Sequence, residues 1–453
     1  MKKELGHEAI YDARQLGTPR MLILGLQHMF AMFGATVLVP ILVQGYGLPL
    51  SIQTTLLFAG LGTLLFHVCT KFKVPAFLGS SFAYLGGFST VATMPAYEGL
   101  DPETKLAYAL GGIVIAGLLY LVLALLFKML GAKKVMRYFP PIVTGPMIIM
   151  IGLNLSGSAI NNCNTNWLIA LLAIAVVIIC NIWGKGMIKI IPILLGFLVS
   201  YIVAAICGEV DFTPVKEAAW IGLPFQMQNT VIGLLSKPAL DTGLLVTSIF
   251  TIAPLSLATM VEHIGDICAI SSTCERNFIT DPGLHRTLLG DGLATILASL
   301  FGAPANTTYG ENTGVLALTR VFDPRVIRIA ACCAIVLSFC PKFAAVIAAM
   351  PACVIGGVSL VLYGMISAVG VRNLIENQVD FQNNRNVLVA ALVLVLSLGI
   401  AYSTAGAIVL ELGGVTISLS GLAVGSLVGI VLNAILPGND FEFDVSELEE
   451  TVE

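Results

Sequence analysis

The sequence predicts an all-α polytopic membrane protein of fourteen transmembrane segments, built as two inverted repeats of seven. Three observations carry this expectation. Apolar runs of spanning length follow one another almost end to end, Lys and Arg gather on one side of the resulting map, and three short motifs recur seven segments apart. The 453 residues are 57% hydrophobic and 11% charged, whereas a soluble domain carries about 25% charged residues. So apolar a chain cannot cover a water-facing exterior, which makes the lipid bilayer its main solvent.

A helix crosses about 30 Å of hydrocarbon with roughly 20 apolar residues. Such runs lie near 21–44, 51–70, 75–93, 107–128, 138–157, 166–183, 188–207, 242–272, 287–302, 304–319, 326–349, 352–371, 386–402 and 412–436, leaving no room for a separate soluble domain. The third and tenth contain Gly79-Ser80-Ser81 and Asn306-Thr307-Thr308, too polar for a uniform lipid-facing helix. With a cytoplasmic N-terminus, 19 of the 23 Lys and Arg fall inside and only Lys105, Lys216, Lys237 and Lys342 outside. That is the positive-inside bias, and removing a middle segment destroys it. Both termini are therefore expected in the cytoplasm, with a retained first helix and an acidic, solvated tail holding seven acids between Asp440 and Glu453. No basic run suggests nucleic acid. The ten cysteines show no C-x-x-C pair or metal-ligand spacing, so no metal site or cofactor is expected.

The repeat is read from paired words. Gln27-His28 in segment 1 matches Glu262-His263 in segment 8. The stretch 79–83 in segment 3 matches 306–310 in segment 10, and Phe139-Pro140-Pro141 in segment 5 matches Met350-Pro351-Ala352 in segment 12. An odd number of segments per repeat inverts the second half. Inverted repeats with broken segments at matching positions mark a secondary transporter whose site lies near mid-membrane at the repeat interface.

Chemistry concentrates there. Glu262 and Asp266 lie four residues apart, on one helix face, and Glu311 follows the break at 307–310. Intramembrane carboxylates are costly and mark function by default; a protonated residue joining two helices is the bland alternative for Glu262, and a brace is the alternative for Asp266. Carboxylates accept from ring N–H groups, and free backbone N–H groups at half-helix starts donate to carbonyls. The two sets together suit a flat neutral ring that alternates N–H and C=O. Phe82 and Tyr309 occupy matching positions and are expected to flank the ring, against ordinary packing as the alternative. For His28 and His263 a structural hydrogen-bonding role is favoured over proton carriage.

These residues resemble the nucleobase–ascorbate transporter family, also called nucleobase:cation symporter-2, over nearly the whole chain. The most specific piece is Glu311-Asn312-Thr313-Gly314, continuing to Thr319-Arg320; Gln27-His28 and Gly79-Ser80-Ser81-Phe82 also match family motifs. Within the family, 307–312 is similar to the members that carry uracil in bacteria, whereas purine and xanthine carriers usually have Gln at the place of Glu311. The resemblance implies proton-coupled uracil uptake across the inner membrane, short β-strands inside segments 3 and 10, and homodimerisation. It implies a cytoplasmic segment 1–20, a core domain (21–129 and 242–349), a gate domain (130–207 and 350–436), an extracellular loop 208–241 and a cytoplasmic tail 437–453. It further implies that Glu262, Glu311 and the backbone at Phe82 and Gly310 bind the base, with Ala35, Tyr309 and Tyr363 peripheral. One departure matters: some bacterial uracil carriers have His where this chain has Asp266, which leaves the proton carrier open among Asp266, Glu262, His263 and His28. A xanthine or uric acid carrier is the nearest rival. A channel, a membrane enzyme and the related fold of sulfate and bicarbonate carriers are more distant ones.

Overall fold

The computed structural model describes residues 9–236, 240–412 and 415–438. The expected acidic tail beyond 438, together with Lys2, Lys3 and Lys237, lies outside the described residues. The chain forms α1 (Thr18–Gly45), α2 (Ile52–Cys69), β1 (Leu78–Ser80), α3 (Leu85–Thr93), α4 (Pro102–Leu130), α5 (Pro141–Cys163), α6 (Trp167–Ile182) and α7 (Pro192–Ile206). After a connection with only short helices come α8 (Thr242–Ile252), α9 (Ser256–Thr273), α10 (Leu284–Leu300), β2 (Asn306–Thr308), α11 (Gly310–Thr319), α12 (Pro324–Ser338) and α13 (Pro341–Ala348). The chain then continues through α14 (Ala352–Glu376), α15 (Asn384–Ala401), β3 (Ala407–Leu412), β4 (Val415–Ser420) and α16 (Gly421–Ile435). Among the described residues, seven helices (counting α8 and α9 as one) are long and apolar enough to cross a membrane.

Helix starts follow capping chemistry. Ser51, Asp101, Asn166, Asp241, Asp323, Asn383 and Ser420 each accept a backbone N–H in the first turn of the helix that follows, and α4 and α12 also begin with Pro at their first position. In a span this satisfies N–H groups that lipid cannot.

Two groups of helices pack separately. Helices α2 and α4 lie against α10, α12 packs on α1 and α2, and α8 on α4; in the other group α14 packs on α5, α6 and α7, while α15 packs on α5 and α16. Each group has a reciprocal glycine contact. A Cβ on Gly117 would lie 3.0 Å from the Gly292 oxygen and the reverse is also 3.0 Å; Gly145 and Gly370 approach to 3.1 and 2.6 Å in the same way. Small residues let backbones approach this closely where lipid supplies no hydrophobic force between helices. The groups meet where α9 touches α5 and α16, α1 touches α7, and α8 touches β4.

Two expectations are corrected. Segment 11, expected as one span over 326–349, bends by 89° between α12 and α13; Pro341, with no N–H to continue the ladder, starts the new direction. Segment 8 forms one span, Thr242–Thr273, with Pro254 in a short 3-10 turn between α8 and α9. Segment 14, expected as helix over 412–436, is helical only from Gly421, because β4 pairs antiparallel with β3. The fold therefore contains β structure outside segments 3 and 10 as well. The signal for β4 was the period-two alternation of Thr416, Ser418 and Ser420 with Ile417 and Leu419. At the N-terminal end, Ile10 bridges Val321 in parallel and Asp323 accepts from the Ala13 N–H at 2.7 Å, tying residues 10–13 to the start of α12.

Candidate functional site

The two broken segments meet. β1 and β2 pair antiparallel in the register Leu78↔Thr308, Gly79↔Thr307 and Ser80↔Asn306. Ser81 N–H donates to Ala305 O at 2.9 Å and Tyr309 N–H to Phe77 O at 3.1 Å, extending the ladder by one bond at each end. A helix follows each strand, α3 from Leu85 and α11 from Gly310, with Phe82 in the turn before α3. Position 79 must be Gly: a Cβ there would lie 2.3 Å from the Tyr309 ring.

A matched pair of threonines holds the ladder. Thr63 of α2 accepts from Leu78 N–H at 2.9 Å, and Thr295 of α10 accepts from Asn306 N–H at 3.1 Å. These helices are segments 2 and 9, seven apart, so the repeat extends to a detail the sequence motifs missed. Asn306 Nδ2 also donates to Phe58 O at 3.3 Å.

A cavity of about 1490 Å³ opens between the helix groups and is lined by Phe82, Glu262, Asp266, Tyr309, Gly310 and Glu311 among others. Six of the expected site residues thus share one space. Thr308 Oγ1 donates to Asp266 Oδ2 at 2.6 Å, which ties β2 to α9. Tyr309 lines the cavity, but its hydroxyl donates to Ser80 O at 3.0 Å, so the far end of the ring is committed to β1. Tyr363 is fully buried and packs edge-on against Phe82 with centroids 5.9 Å apart, supporting that ring from behind. Ala35 is fully buried and outside the lining, where α1 contributes Phe30 and Ala31 instead. The cavity widens toward Lys189, Glu275, Arg276, Arg372 and Glu376.

Neither histidine lines this cavity. His28 is fully buried, and Asn312 Nδ2 donates to its carbonyl oxygen at 3.0 Å, which anchors the first turn of α11 to α1 beside Glu311. His263 Nδ1 lies 2.9 Å from Asp291 Oδ2, both side chains fully buried, in a close contact that is not an aligned hydrogen bond. Phe66 and Tyr120 meet the imidazole edge-on at 6.3 Å each. Sequence reasoning passed over Asp291, although an acid between Gly290 and Gly292 inside an apolar run is itself a signal.

The family model described as "Permease family" matches residues 19–406. The chain is 41% identical over 426 residues to a uracil permease of Bacillus caldolyticus, covering 92% of both chains. It is 39% identical to a uracil permease of Bacillus subtilis (93% of this chain, 94% of that one) and 37% identical to one of Escherichia coli K12 (91% and 90%). Its fold is similar to the transmembrane domain of the cyanobacterial bicarbonate transporter BicA, with a TM-score of 0.59 at 14% identity over 94% of this chain and 99% of that chain. It is also similar to SLC26A9, with a TM-score of 0.65 at 11% identity over 94% of this chain and 66% of the other. Apolar helices of spanning length, a shared cavity at two broken segments and these relatives lead to one conclusion: the chain belongs to the permease family and is a multi-pass membrane transporter, not an enzyme.

Proposed function

We propose that this permease carries uracil together with protons across the inner membrane by alternating access. The observation that carries the reading is the convergence of Glu262, Glu311, Phe82 and the start of α11 on one cavity. Uracil presents two ring N–H groups and two carbonyls. The carboxylates accept from the former, and the backbone N–H groups at Phe82 and Gly310 donate to the latter. The names of the relatives at 37–41% identity support uracil as the substrate.

In this reading the chain crosses the bilayer fourteen times, with β1–α3, α8–α9, β2–α11 and β3–β4–α16 each counted as one crossing and α13 as none. The group containing α1–α4 and α8–α12 is the core domain, and the group containing α5–α7 and α14–α16 is the gate domain. Both termini lie in the cytoplasm, so the cavity faces inward. Homodimerisation completes the proposal. Asp266 is the proton carrier: it shares the cavity with two other carboxylates, and a proton there lowers the charge that must move with the core. Competition calorimetry on purified protein tests the substrate. Uracil displaced by 5-fluorouracil but not by xanthine or uric acid is the expected result; tighter binding of xanthine would move the assignment to a purine carrier.

A further inference from the structure

The cavity that holds the three carboxylates is also lined by Lys189, Arg276 and Arg372. Arg372, near the end of α14, has as its only ion-pair partner among the described residues Glu376, one turn on, at 3.7 Å, with both side chains more than half exposed. An exposed pair of this kind is weak, so the guanidinium is free to seek a better partner. One faces it. Asp266 Oδ2 is held by Thr308, while Oδ1 accepts no hydrogen bond among the described residues. Position 265 is Gly, and a Cβ there would meet Asn373 Nδ2 at 3.7 Å, so the turn of α14 bearing Arg372 abuts the turn of α9 bearing Asp266.

Of the cations that line the cavity, Arg276 is stacked on the Tyr11 ring at 4.0 Å, and Arg372 is the one whose turn abuts that of Asp266 among the described residues. The charged groups acting on Asp266 are Glu262 on its own helix, Glu311 from α11, Asp291 from α10 and Arg372 from α14. The other helices touching α9 from the second group, α5 and α16, have no charged residue in their spans.

We propose that Arg372 is the gating partner of Asp266: its guanidinium crosses the cavity to the ionised carboxylate when the site is empty, and the pair closes this mouth of the transporter. A protonated Asp266 offers no such partner and leaves the mouth open. After substrate and proton have left, the empty carrier then has a reason to close and return. This inference rests on the alternating-access reading but not on which base is carried.

The test uses Cys268, a native thiol that lines the same cavity. Its labelling rate by N-ethylmaleimide is followed by site-resolved mass spectrometry in proteoliposomes at fixed pH without substrate. Arg372→Gln is expected to raise the rate about threefold or more by emptying the closed state, while Arg372→Lys stays within about twofold of wild type because it keeps the charge. Asp266→Asn should raise the rate as well, and the double variant no further than the larger single effect, because both remove one interaction. Glu376→Gln should leave labelling unchanged. Wild-type labelling in Arg372→Gln, additive effects in the double variant, or the Arg372→Gln behaviour in Glu376→Gln would each overturn the proposal. None of these readouts uses uracil, so a failed substrate assignment is told apart from a failed gating partner.

Discussion

Replacing Thr63 or Thr295 by Val removes a hydroxyl while nearly preserving shape. In the folded protein Thr63 Oγ1 accepts from the buried Leu78 N–H at 2.9 Å and Thr295 Oγ1 from the buried Asn306 N–H at 3.1 Å. Valine leaves that N–H without an acceptor, and an unsatisfied buried donor costs about 1–3 kcal/mol. Because β1 and β2 are only three residues each and pair only with one another, neither strand has a second partner to restore its position. The loss therefore reaches the binding site, since α3 and α11 begin just beyond the strands. Each single variant should weaken uracil binding by about five- to hundredfold, the equivalent of that cost at 1.4 kcal/mol per tenfold. The double variant should fall short of the sum, because both changes loosen one ladder. Titration calorimetry on the four proteins of the cycle gives the coupling, and thermal unfolding gives the stability loss. Neutral single variants, or full additivity, would show that the ladder does not position the site and would refute the reasoning.

Further outcomes follow from the cavity. Glu262→Gln and Glu311→Gln each turn an acceptor into a donor opposite a ring N–H, and loss of a charged hydrogen bond of about 1.5–3 kcal/mol should weaken uracil binding about ten- to hundredfold by calorimetry. Asp266→Asn should retain some uracil binding yet lose accumulation driven by a pH gradient, measured by uptake in proteoliposomes; accumulation at the wild-type level would place the proton elsewhere. Cytosine, whose amino group replaces a carbonyl acceptor, should fail to compete with labelled uracil, because a site that buries polar groups rejects an analogue that leaves them unpaired.

The broken segments were legible because polar words such as Asn306-Thr307-Thr308 cannot face lipid, and the repeat was legible because three words matched in register. The six residues that line one cavity were marked by their chemistry: carboxylates, aromatics and a Gly beside a break. What stayed hidden depended on side-chain direction. His263 shares α9 with Glu262 but meets Asp291 away from the cavity, and one residue of rotation separates the two fates. Thr63 and Thr295 looked like ordinary small polar residues until the strands were seen beside them. Strand β4 was read as helix because length and hydropathy outweighed its alternation. The bend at Pro341 was hidden because the apolar run continues through it.

The central claim, proton-driven uracil uptake, is tested most directly in proteoliposomes loaded with purified protein and given radiolabelled uracil. With the outside more acidic than the lumen, uracil should accumulate above its external concentration, and collapsing the gradient with a protonophore should return it to equilibrium. Equal accumulation with and without the gradient, or no uptake of uracil alongside rapid uptake of another base, would contradict the account.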